Sequence, residues 1–317
     1  MQLTIPTICR SVQPAVFHDT RHPCRKLNAT TMGEGMASTG GEINHVSDTA
    51  LMVAACRAHE NELEDAFARD PFAERLAGER GLAILNSLPH AGMMRLGLAI
   101  RTRFIDELLL EALASDPIST VLSVGCGLDT RPWRLDLSSN LRWIEIDFAD
   151  MLDYKDRLMS GETPRCRRER LALDLNDPAQ RMQIYDAASR KAALMITEGV
   201  LLYLPAATVD DLAAENWKHS GITHWISDIT TTSFYRALGD PGAMQFIRHV
   251  RATDALTGEQ ILDVLRRQGW TTAVCRSYIT DTGFARDRVL RMMGDDTPTP
   301  PSFAPDDPTG VHLFSHQ

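Results

Sequence analysis

Apolar and polar positions divide the chain into a polar front, a helical stretch, a run of strands alternating with helices, and a proline-marked end. Residues 1 to about 45 hold few spaced apolar positions, with Gly33, Gly35, Gly40 and Gly41 set among Thr and Ser. Such a composition cannot bury a core, so a disordered leader is expected over 1–45. Its excess of basic residues gives it a faint likeness to a transit peptide. Helical spacing then begins. Ser47-Asp48-Thr49 offers an N-cap, and Ala50, Leu51, Val53, Ala54 and Ala58 form an apolar stripe. Asp70-Pro71 opens a second helix through Phe72 and Leu76, which Gly78 is expected to close. Met93 to Ala114 has the pattern of a long helix, with Ile100, Phe104, Ile105, Leu108 and Leu109 on one face. These helices make an N-terminal cap over 46–117, ended by Asp116-Pro117.

From Ser119 the pattern changes to short apolar runs. Val121–Val124, Leu141–Asp147, Leu171–Leu175, Ala193–Thr197, His224–Ile229 and Thr271–Tyr278 read as strands. Helical segments separate them at Leu152–Leu158, after Pro178, at Val209–Trp217 and from Thr257 to Arg267. Strands alternating with helices predict an α/β domain, here over 118–290. Thr230 to Arg251 is too long for a tight link, which places a helical insertion at about 230–268. Arg165–Arg170 reads as a solvated basic loop leading into the third strand. Pro298, Pro300, Pro301, Pro305 and Pro308 mark 291–317 as an irregular, proline-rich end.

Charge and cysteine usage narrow the classes. A net charge of -9 argues against a nucleic-acid surface, which needs a basic field. No run of eighteen apolar residues exists to cross a membrane as a helix. The six cysteines lack CxxC or paired spacing, so reduced thiols, a cytoplasmic location and no metal site are expected.

The chemistry concentrates where the first strand ends. Gly125-Cys126-Gly127 lets the backbone turn tightly and a ligand approach the main chain. A dinucleotide fingerprint would carry a third glycine three residues on, where this chain has Thr130, beside the acid Asp129. A carboxylate there repels a diphosphate and suits a cationic or neutral ligand. Twenty residues past Gly127, the second strand ends in Asp147, placed to accept hydrogen bonds from a ribose diol. Together these features fit S-adenosylmethionine better than NAD. Asp174 is a natural reader of an adenine amine, or else an N-cap for the helix after Pro178. Asp129, Asp147, Asp174 and Glu198 all fall at or just past strand ends, on the rim where open α/β sheets bind ligands. Arg95, Arg101 and Arg103 precede the first strand, and one of them could grip a ligand carboxylate.

The runs VGCGLDTRPWRL, IEIDF, ALDL and ITEGVLLYLP resemble the leucine carboxyl methyltransferase family. The likeness is closest to its small-molecule branch, similar to polyketide O-methyltransferases of the tetracenomycin type, and extends over roughly residues 46 to 280. It implies a Rossmann-like class I methyltransferase fold with a mixed seven-stranded sheet. It also implies S-adenosyl-L-methionine as cofactor and oxygen, often of a carboxylate, as methyl acceptor. Carried over, the resemblance puts Gly125 and Gly127 under the methionine part and Asp147 at the ribose. Asp174 and Leu175 fall at the adenine, Glu198 at the inner methionine site and Arg101 at the cofactor's carboxylate. Cys126 stands where the family usually has Ala, and Ser123 replaces an acid that many other methyltransferases carry there.

A small-molecule carboxylate or hydroxyl is the expected acceptor, with a protein C-terminal carboxylate as the alternative. His90, His219, His224 and His249 are available as bases, and nothing in the sequence selects one, so no catalytic residue is assigned. A short-chain NAD(P) oxidoreductase is disfavoured by the missing third glycine and the absence of a Tyr-x-x-x-Lys dyad. A non-catalytic cofactor-binding protein is disfavoured by the intact acids.

Overall fold

The computed structural model describes residues 42–316, apart from 89–90, 189–191, 220, 239–244, 294–301 and 305. Most of the expected leader, the thiols Cys9 and Cys24, and Pro298, Pro300, Pro301 and Pro305 lie outside the described residues.

Seven strands form one sheet: β1 Thr120–Val124, β2 Arg142–Asp147, β3 Arg167–Ala172, β4 Ala193–Thr197, β5 Ile222–Ile229, β6 Trp270–Ser277 and β7 Gly310–His316. Their spatial order is β3-β2-β1-β4-β5-β7-β6. The pairs from β3 to β5 are parallel, and β7 is antiparallel to both β5 and β6. The sheet is therefore mixed, and its strand order reverses between β1 and β4. That switch point opens a crevice beyond the strand ends.

Both faces of the sheet are covered, which explains the continuous apolar runs in β1 and β4. Side chains alternate between two cores with the strand period of two. Leu122, Ile144, Met195, Trp225 and Phe314 point into one, with Ile184 and Leu212 from the helices Pro178–Ala188 and Ala206–His219. Val121, Trp143, Leu194, Ile226 and Leu313 point into the other, against Ile105, Leu108 and Leu109 of the helix Ala91–Ser115. Helix Gly258–Arg267 is set by a Thr257/Gln260 capping box and adds Ile261 and Leu265 to the first core.

Several local expectations are corrected. The third strand is Arg167–Ala172 rather than Leu171–Leu175, so Arg167–Arg170 of the basic run is strand and only Arg165 and Cys166 precede it as loop. β3 is an edge strand with an open side, and its Arg168 and Arg170 are held by acids. Arg168 reaches Glu145 at 2.6 Å, beside the fully buried Lys155–Glu145 pair at 2.6 Å. The chain end is not irregular, because β7 completes the sheet there. Gly310 permits it: a Cβ would stand 2.4 Å from the Arg276 carbonyl oxygen on β6. The first helix, Val46–Asn61, is capped by His45, whose ring accepts from the Ser47 amide at 3.2 Å. Asp48 lies inside that helix; it accepts from the His45 amide at 3.1 Å and pairs with Arg80 at 2.9 Å. Gly78 does close a short helix as expected: at φ 55° and ψ -174° its backbone is non-helical and separates two helical segments within Ala73–Ser87. The long link after β5 contains the helix Thr232–Ala237 and a 3-10 turn at Gln245–Val250.

Candidate functional site

A cavity of about 1220 Å³ opens at the C-terminal ends of β1, β2, β4 and β5. Arg101, Gly125, Gly127, Asp129, Asp147, Asp174, Leu175 and Glu198, all nominated from the sequence, line it. Helix Val46–Asn61 roofs the glycine turn through Val46, Ser47, Thr49 and Ala50. Gly125 and Gly127 take left-handed φ values of 63° and 45°, which other residues adopt only with strain. A Cβ on Gly125 would also meet Val200 Cγ2 at 2.5 Å.

Asp147 accepts from the Gly127 amide at 2.7 Å through one oxygen and from the Phe148 amide at 2.8 Å through the other. The carboxylate is thereby fixed under the glycine turn, and each oxygen keeps a lone pair for a ligand diol. Burial lifts the Asp147 carboxyl above its usual range, against the pull of those two amides. Asp174 lies two residues past β3 and accepts from the Asn176 amide at 2.9 Å. It is not the helix cap. Asp177 takes that position, accepting from Ala179 at 2.9 Å and Gln180 at 3.3 Å.

Arg131 lies beneath the glycine turn with its side chain 2% exposed. It meets Asp106 at 2.6 Å, Asp129 at 3.1 Å and Glu198 at 2.7 Å. Burial acts on both Glu198 and Asp129 to raise their carboxyls. The cations together outweigh it, Arg131 with Arg101 at Glu198 and Arg131 with Lys155 at Asp129, so both sit below the usual carboxylate range. Asp129 thus faces the cavity wall as a structural anion as well as a lining residue. Sequence reasoning did not assign Arg131 this role, although the GLDTR run contains it.

Of the three candidate arginines, Arg101 alone lines the cavity. Its Nε donates to Glu198 Oε1 at 3.1 Å and its Nη1 to Asp228 Oδ2 at 3.1 Å. Those bonds use two of a guanidinium's five N–H donors. Burial works to lower the Arg101 pKa, but the Asp228 and Glu198 carboxylates carry it above its ordinary value. Arg103 instead pairs with Glu107 at 2.7 Å, its guanidinium 4.0 Å from the Phe284 ring centroid.

The cavity lining also includes an apolar and aromatic group, Met52, Met93, Met94, Leu202, Phe234, Tyr235, Ile247, Tyr278 and Phe303. Met93, Met94, Phe234 and Tyr235 were legible as cavity candidates. Phe104 packs in the core instead, while Met244 and the side chain of Phe246 lie outside the described residues. Asp228, Tyr203 and Tyr278 were not singled out beforehand. Asp228 could have been, since it falls at the end of β5 as the other acids fall at theirs. Burial pushes the Tyr235 hydroxyl up to about 12 and raises that of Tyr278 as well, so both remain proton donors near neutral pH. His224 sits near the opposite end of β5, 3.6 Å from Asp116, and His249 meets the Ile43 carbonyl. His90 and the side chain of His219 lie outside the described residues.

The sheet order, the left-handed glycine turn and the rim of acids define a Rossmann-like domain with the class I methyltransferase fold. In particular, residues 50–216 match the family model for leucine carboxyl methyltransferase, and the chain belongs to that family. A protein of Mycobacteroides abscessus, named as a candidate S-adenosyl-L-methionine-dependent methyltransferase, is 36% identical over 184 residues, 53% of this chain and 59% of its own. A similarly named Streptomyces avermitilis protein is 36% identical over 179 residues, 52% of this chain and 62% of its own. These alignments span about three fifths of those relatives' length. One from Mycolicibacterium smegmatis, with a name of the same kind, aligns at 29% identity over 81% of this chain and 85% of its own. Among solved structures, a DUF574 family protein of Streptomyces avermitilis superposes with a TM-score of 0.53. It covers 83% of this chain and 97% of its own at 11% identity, a likeness of fold alone.

Proposed function

We propose that the protein is an S-adenosyl-L-methionine-dependent O-methyltransferase acting on a small, largely apolar acceptor that carries a carboxylate or hydroxyl. The carrying observation is the mixed lining of the cavity at the switch point, which combines the acids Asp129, Asp147, Asp174, Glu198 and Asp228 with a group of apolar and aromatic side chains. Its 1220 Å³ exceeds the 300–1,000 Å³ typical of a single small-ligand pocket. Space therefore remains for an acceptor beside a cofactor.

The residues present fit that cofactor. Asp147 keeps lone pairs for a ribose diol, and Asp174 has a carboxylate oxygen for the adenine amine. Gly125 and Gly127 bring bare backbone to the methionine part, and Arg101 retains N–H donors for its carboxylate. A rim of acids suits a sulfonium and opposes the diphosphate of NAD. When bound, the cofactor supplies a methyl group made electrophilic by the sulfonium. The chain's contribution is binding and alignment, which can lower a two-reactant barrier by about 7–11 kcal/mol when the geometry is right. Tyr235 and Tyr278 line the cavity, and the methionines and phenylalanines around them exclude water. Cys56, Cys126 and Cys166 are buried free thiols and Cys275 a half-buried one, which supports our placement of the protein in the reducing cytoplasm.

Methyl-labelled cofactor, incubated with the protein and extracts of small acids and phenols, tests this reading. Label should enter the small-molecule fraction; release by mild base would identify an ester, and retention an ether. Label found only on protein would replace the small-molecule acceptor with a protein carboxylate.

A further inference from the structure

Asp228 ends β5 on the same rim as the other acids, yet both of its oxygens are engaged within the protein. Oδ1 accepts from the Gly199 amide at 2.6 Å, and Oδ2 accepts from Arg101 Nη1 at 3.1 Å. The side chain is 7% exposed. Gly199 follows β4 in a left-handed turn at φ 62°, and a Cβ there would come within 3.0 Å of Arg101 Nη1. The turn, the guanidinium and the carboxylate therefore pack as a unit. Glu198, the other acid on Arg101, is shared with Arg131, which approaches it more closely, at 2.7 Å against 3.1 Å. Among the described residues, Asp228 alone forms an ion pair with Arg101 from the β5 side.

We propose that Asp228 is a positioning residue. It fixes the Arg101 guanidinium, and the Glu198-Gly199 turn beside it, in the pose that receives the amino-acid carboxylate of the cofactor. The proposal rests on the cofactor reading above. Without the charge of Asp228, Arg101 keeps Glu198 as its one ion-pair partner among the described residues and can collapse toward it. The adenosine half of the site, built on Asp147 and Asp174 at the ends of other strands, is untouched by that change. A merely structural Asp228 would behave differently, because loosening the β4 and β5 ends would weaken every ligand alike.

Two ligands separate these cases: S-adenosylhomocysteine, which carries the carboxylate, and 5′-methylthioadenosine, which has the same nucleoside without it. Asp228→Asn keeps an oxygen for the Gly199 amide and removes the charge on Arg101. Titration calorimetry on the full chain should show about a tenfold loss of S-adenosylhomocysteine affinity, the scale of a charge-assisted hydrogen bond. Methylthioadenosine affinity should stay within about twofold, which also reports an intact fold. In an Arg101→Met background the same Asn substitution should cost nothing further. Equal losses for the two ligands, or no loss for S-adenosylhomocysteine, would overturn the proposal. If Asp228→Asn unfolds the chain, Asp228→Glu, which keeps the charge but displaces it by a methylene, takes its place. The selective loss of S-adenosylhomocysteine affinity is again expected, and equal losses or none would again overturn the proposal. Failure of the wild-type chain to bind S-adenosylhomocysteine is a separate result that removes the cofactor reading itself.

Discussion

Replacing Arg131 by methionine is expected to destabilise the protein by about 3–5 kcal/mol, the scale for removing one partner from a buried ion pair. The side chain is 2% exposed and meets three acids, Asp106, Asp129 and Glu198, within 3.1 Å. Arg134 would still serve Asp106 at 2.6 Å, and Arg101 would still serve Glu198 at 3.1 Å. Asp129 would retain no cation within salt-bridge distance among the described residues. Methionine matches the aliphatic stem, so the loss is chiefly electrostatic. Asp129 and Glu198 have folded-state values below their unfolded ones of about 3.8 and 4.5. Their stabilising contribution is therefore complete above that range and is lost as pH falls through the folded values. In the methionine variant burial is less opposed and the same carboxylates take up protons at higher pH. The stability gap should be widest near pH 7 and narrow as pH approaches about 4. Urea unfolding at several pH values measures this; a loss below about 1 kcal/mol at neutral pH would contradict it.

Asp147→Ala is expected to weaken cofactor binding by about 1.5–3 kcal/mol, or roughly 10- to 150-fold in Kd. The carboxylate is the acceptor beneath the glycine turn, tied to the Gly127 and Phe148 amides at 2.7 and 2.8 Å. Removing it takes away the proposed ribose partner and the clamp on the turn together. The pH dependence has the opposite sense to that of Glu198. Burial raises the Asp147 carboxyl, so its ionised form costs stability above the folded pKa and acidification relieves that cost. Cofactor affinity should accordingly fall on acidification, beginning above the ordinary aspartate range, while Asp147→Ala flattens that dependence. An unchanged Kd in the variant, or an unchanged pH profile, would remove Asp147 from the site.

What was legible in the sequence follows from what strand ends and apolar runs encode. β1 and β4 are buried on both faces and stand out as apolar stretches closed by glycine or by an acid and glycine. The rim was therefore visible at Gly125, Asp147 and Glu198. β3 was misplaced because an edge strand has no need of continuous apolar residues, and Arg168 and Arg170 look like loop until Glu145, Asp153 and Asp156 are seen to meet them. β7 was missed because the prolines preceding it suggested an end to order, and because the polar His312 interrupts the short run Gly310–Phe314 that is buried between β5 and β6. The ion pairs Arg101–Asp228 and Arg131–Asp106 join residues 127 and 25 positions apart. No local periodicity encodes such pairs; the fold brings them together.

Everything proposed for the site depends on the acid-rimmed switch point holding S-adenosylmethionine rather than a dinucleotide. Titration calorimetry of the full chain with S-adenosylmethionine, S-adenosylhomocysteine and NAD tests it directly. Saturable one-to-one binding of the first two, with no saturable binding of NAD, is the predicted result. Saturable NAD binding with no binding of S-adenosylmethionine would contradict it.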